Sequence, residues 1–179
     1  MLLVASAMAA PVRVMPEPPS LPLFTYDVLP GEGLAPGTYG LNVPASIFSD
    51  WAPRRIVLIA ELKAGTSVTL LTGACEVDSP DLITVTMPLP ELQLNPGDTF
   101  LRYTYRGESK ADFWAKGRWY TNADGAFITE ADGSGCQSQC KAHETGRGRR
   151  KWWFRLRLVD GRIGWTYANE SLDPNYFAH

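Results

Sequence analysis

The chain has 179 residues and a formal net charge of −2, a balance that argues against broad binding to nucleic acid or other polyanions. Hydrophobic residues make up 45% and charged residues 20%, which supports a packed core and excludes wholesale disorder. The 16 Gly and 14 Pro follow no collagen-like period, no segment shows sustained helical periodicity, and no apolar run reaches the roughly 18 residues of a membrane-spanning helix, so an all-β chain without a transmembrane segment is expected.

Leu2 to Ala10 is apolar and small, and Ala7-Met8-Ala9 has the form of a signal-peptidase site, although no Lys or Arg precedes it. The expectation is the tail of a secretory signal and an exported, periplasmic or extracellular protein. Residues 11–22 hold five prolines, so residues 1–22 read as a signal-like remnant followed by an extended linker. Ile56–Leu62 is nearly all apolar, a strand expected to be buried on both faces. Lys63-Ala64-Gly65-Thr66 predicts a turn, followed by a strand over Ser67–Thr72. Ile83, Val85 and Met87 alternate with Thr84 and Thr86 until Pro88 and Pro90 end the strand.

After the turn Asn95-Pro96-Gly97-Asp98, parity puts Leu101, Tyr103 and Tyr105 on one face and Phe100, Arg102, Thr104 and Arg106 on the other. Two short aromatic strands, Phe113-Trp114 and Arg118-Trp119-Tyr120, flank Lys116-Gly117. Residues 131–150 are polar, Gly-rich and basic and read as a long loop. Residues 141–165 carry eight basic residues against two acidic ones, which describes either a solvated loop feeding a strand or a surface for an anionic ligand.

The closing segment, residues 151–166, alternates on both sides of Asp160-Gly161, a pair suited to a two-residue type I′ hairpin turn. Trp152, Phe154, Leu156 and Leu158 share the face expected in the core; Lys151, Trp153, Arg155 and Arg157 share the other. The turn brings Trp165 alongside, with Tyr167 and Asn169 continuing the rim. Trp153 is therefore expected to be partly exposed on an aromatic strip flanked by two guanidinium groups. The rival is a Trp153 packed against the rest of the chain.

Two pieces of the chain resemble bacterial SH3-like (SH3b) domains. The first is Leu41-Asn42-Val43 with Ala60-Glu61-Leu62-Lys63-Ala64-Gly65-Thr66-Ser67-Val68-Thr69-Leu70-Leu71. The second is Trp153-x-Arg155-Leu156 with Gly161-x-x-Gly164-Trp165-Thr166. The resemblance implies an SH3-like β-barrel, and it implies that Trp153 lines a peptide groove. Ordinary members join such pieces by a far shorter connection than the one here. Two arrangements follow: two tandem SH3-like units over 23–90 and 91–173 with residues 174–179 as a tail, which is preferred, or one barrel with a large insertion. The ligand-binding set expected on this basis is Trp153, Arg155, Arg157, Trp165, Tyr167 and Asn169.

Catalytic chemistry finds little support. Cys136, Cys140 and His143 lack a fourth metal ligand and match no common zinc spacing. In an exported chain Cys136 and Cys140 are expected to form a disulfide, leaving Cys75 as a buried thiol. The only histidines are His143 and His179, too few and too poorly placed for a Ser-His-Asp or Cys-His site. Tyr120 and Ala131 stand where a calcium loop around Asn122-x-Asp124-Gly125 would need ligands, and no phosphate-binding glycine loop is present. The expectation is a non-catalytic bacterial cell-envelope binding module for a peptidoglycan peptide or glycan or a protein partner, without cofactor or metal. The rivals are a structural or assembly protein without a ligand site and a cell-wall hydrolase using Asp98, Glu108 or Asp112.

Overall fold

Turn residues cut this chain into short strands, and their pairing assembles two sheets. A computed structural model describes residues 12–30, 34–51, 56–168 and 177–178. The strands are β1 (Val12–Val14), β2 (Leu23–Tyr26), β3 (Gly37–Leu41), β4 (Ala45–Phe48), β5 (Leu58–Leu62), β6 (Ser67–Ser79), β7 (Asp81–Val85), β8 (Thr99–Tyr105), β9 (Lys110–Ala115), β10 (Arg118–Asp124), β11 (Ile128–Thr129), β12 (Ala142–Gly146), β13 (Arg149–Leu158), β14 (Ile163–Ala168) and β15 (Phe177–Ala178). Among the described residues there is no α-helix, only a short 3₁₀ turn at Pro90–Leu92. The all-β expectation therefore holds.

One sheet runs β1-β10-β9-β8-β7-β12-β11; the other runs β15-β3-β6-β13-β14-β4-β5, with β2 also paired to β6. The 13-residue β6 is long enough to hold β3 along residues 67–70 and β2 along 74–77. β6 pairs with β13 and β7 pairs with β12, so one two-stranded ribbon turns from the second sheet into the first. The corner is made by Pro80 and Gly148. A Cβ on Gly148 would strike the Ser79 carbonyl and the Pro80 backbone, so only glycine lets the two strands cross there.

Strand pairing groups residues 23–79 with 149–168 and sends 81–146 to the other sheet. The division at residue 90 expected for tandem units falls within the stretch that builds the first sheet, because the chain leaves the second sheet at the Pro80 corner, after β6. Phe177–Ala178, expected in a tail, pairs with β3. The proposed signal remnant up to residue 11 lies outside the described residues. The proline-rich segment is not a free linker: β1 pairs with β10, and Pro19 is buried. Residues 131–150 are not all loop, since β12 and the start of β13 fall within them.

Between the sheets, Val68, Leu70, Val77, Trp152, Phe154, Leu156 and Leu158 meet Tyr103, Leu101, Trp114 and Trp119. The four residues assigned inward on β13 are all buried, as parity requires. A second core lies on the far face of the first sheet, where Ile83, Val85, Phe100 and Phe113 are covered by Leu89, Leu92, Leu94 and Ile128. Ile56, Val57 and Leu58 are exposed rather than buried, because β5 is an edge strand.

Two local expectations are corrected. The β8–β9 register shifts between Arg102 and Tyr105, which breaks the alternation: Thr104 joins Tyr103 on the inner face, with its hydroxyl 2.9 Å from that of Thr25. In the β13–β14 hairpin only Gly161 has positive φ (87°), and its N–H donates to Leu158 O at 2.9 Å. Val159 and Asp160 therefore form the turn and Gly161 supplies the left-handed residue after it, a longer loop than the two-residue turn expected.

Candidate functional site

The outer face of the second sheet carries a cluster of aromatic side chains, and register explains how. Tyr26 on β2 stands opposite Ala74 on β6, Ala74 opposite Trp153 on β13, and Trp153 opposite Tyr167 on β14. In the next row Thr72, Arg155, Trp165, Phe48 and Leu58 line up across β6, β13, β14, β4 and β5. Ala74 leaves room beside it for an indole. Trp51, just beyond β4, folds back over this face, with its ring 5.4 Å from Phe24, 4.9 Å from Tyr26 and 5.7 Å from Trp165. Trp153 lies 5.3 Å from Tyr167 and 6.5 Å from Phe48, centroid to centroid.

Trp153 is consequently only 8% exposed, which corrects its expected place on an open strip. Parity gave its side of the sheet correctly, but Trp51 and its neighbours roof it over. Its indole Nε1 is buried with no acceptor. The accessible margin is made instead by Tyr26, 59% exposed, with half-buried Phe24, Phe48, Trp165 and Tyr167, and it continues through the exposed Leu58 and Ile163. Arg155 and Arg157 are exposed beside Trp165 and Ile163 in the register, and among the described residues neither forms an ion pair. Lys151, on the same face, is drawn to Glu76 and Asp78 at 3.1 and 3.0 Å. Asn169 lies outside the described residues. Phe24, Tyr26, Phe48 and Trp51 were missed in the sequence; the alternation Phe24-x-Tyr26 was the available signal.

A second constellation sits where the ribbon turns between the sheets. Arg102 donates from Nε to Asp81 at 2.7 Å, from Nη1 and Nη2 to the two Glu130 oxygens at 2.5 and 2.7 Å, and from Nη2 to Glu144 at 3.1 Å. Asp81 also accepts from Arg150 at 2.5 Å and from the Gly148 N–H at 2.8 Å. Arg147 donates to the other Glu144 oxygen at 3.1 Å. Burial works against the Asp81 charge, but Arg150 and Arg102 outweigh it and hold its carboxyl below the usual range. Glu144 is pushed up, first by burial and then by its hydrogen bond to Glu130. Burial would likewise raise Glu130, but the Arg102 hydrogen bonds prevail and lower it. Glu130 and Glu144 both accept from Arg102 Nη2, at 2.7 and 3.1 Å, so one guanidinium joins the two carboxylates. Glu130 also lines a polar cleft of about 590 Å³ with Arg102, Tyr105, Ser109 and Cys136.

The acids named for a hydrolase are dispersed. Buried Asp112 accepts from Arg106 at 2.6 and 2.7 Å, Asp98 accepts from Lys116 at 2.5 Å, and Glu108 is exposed in the β8–β9 turn. Cys136 and Cys140 stand at disulfide distance with Cα atoms 5.6 Å apart, as expected, while His143 is exposed on β12. Among the described residues no group of three His, Cys, Asp or Glu could hold a metal ion.

Cys75 is fully buried, and burial pushes its thiol up to about 12 despite the nearby Arg150 charge. It should resist iodoacetamide at pH 8 in the folded protein and react once the chain is unfolded. Mass spectrometry of labelled peptides checks this, and rapid native labelling would contradict the burial.

Comparisons with protein-family models, with curated proteins and with solved structures found no match to this chain.

Proposed function

We propose that the protein is a non-catalytic, exported bacterial cell-envelope binding module that holds a peptidoglycan peptide or a protein partner on the outer aromatic face of its second sheet. The supporting observation is the accessible margin of Tyr26, Trp165 and Tyr167 beside the exposed Arg155 and Arg157, which form no ion pair among the described residues. Aromatic rings supply apolar area for peptide or sugar faces, and guanidinium groups donate two parallel hydrogen bonds to a carboxylate. A cysteine pair at disulfide distance suits an oxidising compartment outside the cytosol.

The finer fold reading is one SH3-like barrel formed around the second sheet, with the first sheet as an insertion. In its favour, residues 60–71 and 152–166, which carry the resemblance, lie in β5, β6, β13 and β14 of the same sheet, and the chain between them supplies every strand of the other except β1. Tandem units are less well supported by this pairing.

The burial of Trp153 favours one rival, in which the aromatic cluster only stiffens the sheet. Co-sedimentation with purified sacculi separates the two. Wild-type protein should pellet with sacculi, and Trp165→Ala combined with Arg155→Glu should lose most of that binding while keeping its melting temperature within a few degrees. Equal sedimentation of both proteins, or none by the wild type, would remove peptidoglycan as the ligand.

A further inference from the structure

We infer that the edge of β10 is a strand-accepting site and that its second occupant is residues 12–16 of another copy of this chain, in a reciprocal strand-exchanged dimer.

The strand now in the site is held by its backbone. Val12, Arg13 and Val14 stand opposite Tyr120, Trp119 and Arg118. The Met15 N–H donates to Gly117 O at 2.8 Å, and the Trp114 indole N–H donates to Met15 O at 2.8 Å. All three β1 side chains are exposed, Val12 by 52% and Val14 by 75%. Nothing in this hold depends on the strand belonging to the same chain.

The site itself must be filled. Without β1, β10 would present an unpaired ladder and Trp114 would lose its acceptor, the exposed edge that folded proteins avoid. Gly117, at φ 75°, forms a seat against Pro16: a Cβ there would lie 3.6 Å from the Pro16 Cα. The acceptor therefore takes an extended segment that offers a carbonyl at the Met15 position to the Trp114 indole.

The connection permits exchange. β2 is anchored in the other sheet, with Leu23 to Tyr26 opposite Val77 to Ala74. Between the two anchors, residues 16–22 include Pro16, Pro18 and Pro22, which are exposed, and Pro19, which is buried, so the connection is short and stiffened by proline. Exchange of an identical terminal element between copies is a low-cost route to a dimer, because each copy receives the same contacts it gives up. Reciprocal exchange remakes every bond of the closed form and leaves no edge open, so the two forms differ chiefly in association entropy. A tethered strand competes at an effective concentration on the order of millimolar, which sets the range where the dimer appears.

Two proteins with one introduced cysteine each test this, Val14→Cys and Arg118→Cys, both in a Cys75→Ala background so that the introduced thiols are the only free ones. They are mixed, refolded together at about millimolar concentration with the Cys136–Cys140 pair oxidised, and treated with a glutathione redox buffer. Non-reducing electrophoresis should show a covalent heterodimer several-fold above that from an off-register pair, Val14→Cys with Glu108→Cys. A single chain carrying both Val14→Cys and Arg118→Cys should cross-link internally at low concentration. If that chain closes but the mixture gives no more heterodimer than the off-register pair, the strand serves only its own chain and the proposal fails. If the double variant does not close, the register itself is wrong and the proposal fails with it.

Discussion

Replacing Arg102 with methionine should destabilise the protein by about 3–5 kcal/mol, because it leaves Asp81, Glu130 and Glu144 together without the cation that joins them. Lysine should not rescue the variant: a point charge cannot offer Nε to Asp81 and both Nη atoms to Glu130 at once. The deficit should depend on pH. In the wild type the depressed Asp81 contributes stability that is present above its ordinary value of 3.8 and is lost as pH falls through its folded value. Glu144, which is raised, acts in the opposite sense: its contribution is full below 4.5 and fades as pH rises through its folded value. Acid therefore removes what Arg102 secures with Asp81 and at the same time relieves the repulsion in the variant. Urea unfolding at pH 7 and at a pH below 3.8 should show the gap between the two proteins narrowing at the lower pH. A gap of the same size at both values would mean that the cluster is not held by charge.

Trp153→Ala should cost a further few kcal/mol, roughly 3–5 for a buried Trp, although parity alone would place this residue on a surface and make its loss cheap. The indole fills the space over Ala74 beneath Trp51, Tyr167 and Phe48, so truncation opens a cavity under the aromatic roof. Trp153→Phe should be tolerated to within about 1.5 kcal/mol, since it keeps a ring there and removes the buried N–H that has no acceptor. Chemical denaturation of both variants reads the difference. A loss below about 1 kcal/mol for Trp153→Ala would show that Trp51 settles into the vacated space.

The closing hairpin shows how far the residues themselves carry. The alternation of Trp152 to Leu158 determined which side faces the core, and Asp160-Gly161 determined where the chain reverses. Gly-rich spacing likewise placed Cys136 and Cys140 within reach of each other. These are local properties: a two-residue period, a glycine at positive φ, and two thiols four residues apart.

Other features were decided only when distant segments met. The bulge between Arg102 and Tyr105 turns Thr104 inward beside Tyr103, because the register of β8 is set by β9 rather than by its own residues. The proline-rich segment reads as a linker until the unpaired edge of β10 and the Trp114 indole give its backbone a partner. The Arg102 cluster draws acids from positions 81, 130 and 144, which no spacing rule connects. Trp51 reaches its place over the sheet from far along the chain. Parity determined the direction in which Trp153 points, but its burial depended on the packing of Trp51, Phe48 and Tyr167 above it. Side-chain direction follows from the local backbone, whereas cover and charge pairing arise from contacts between strands far apart in the chain.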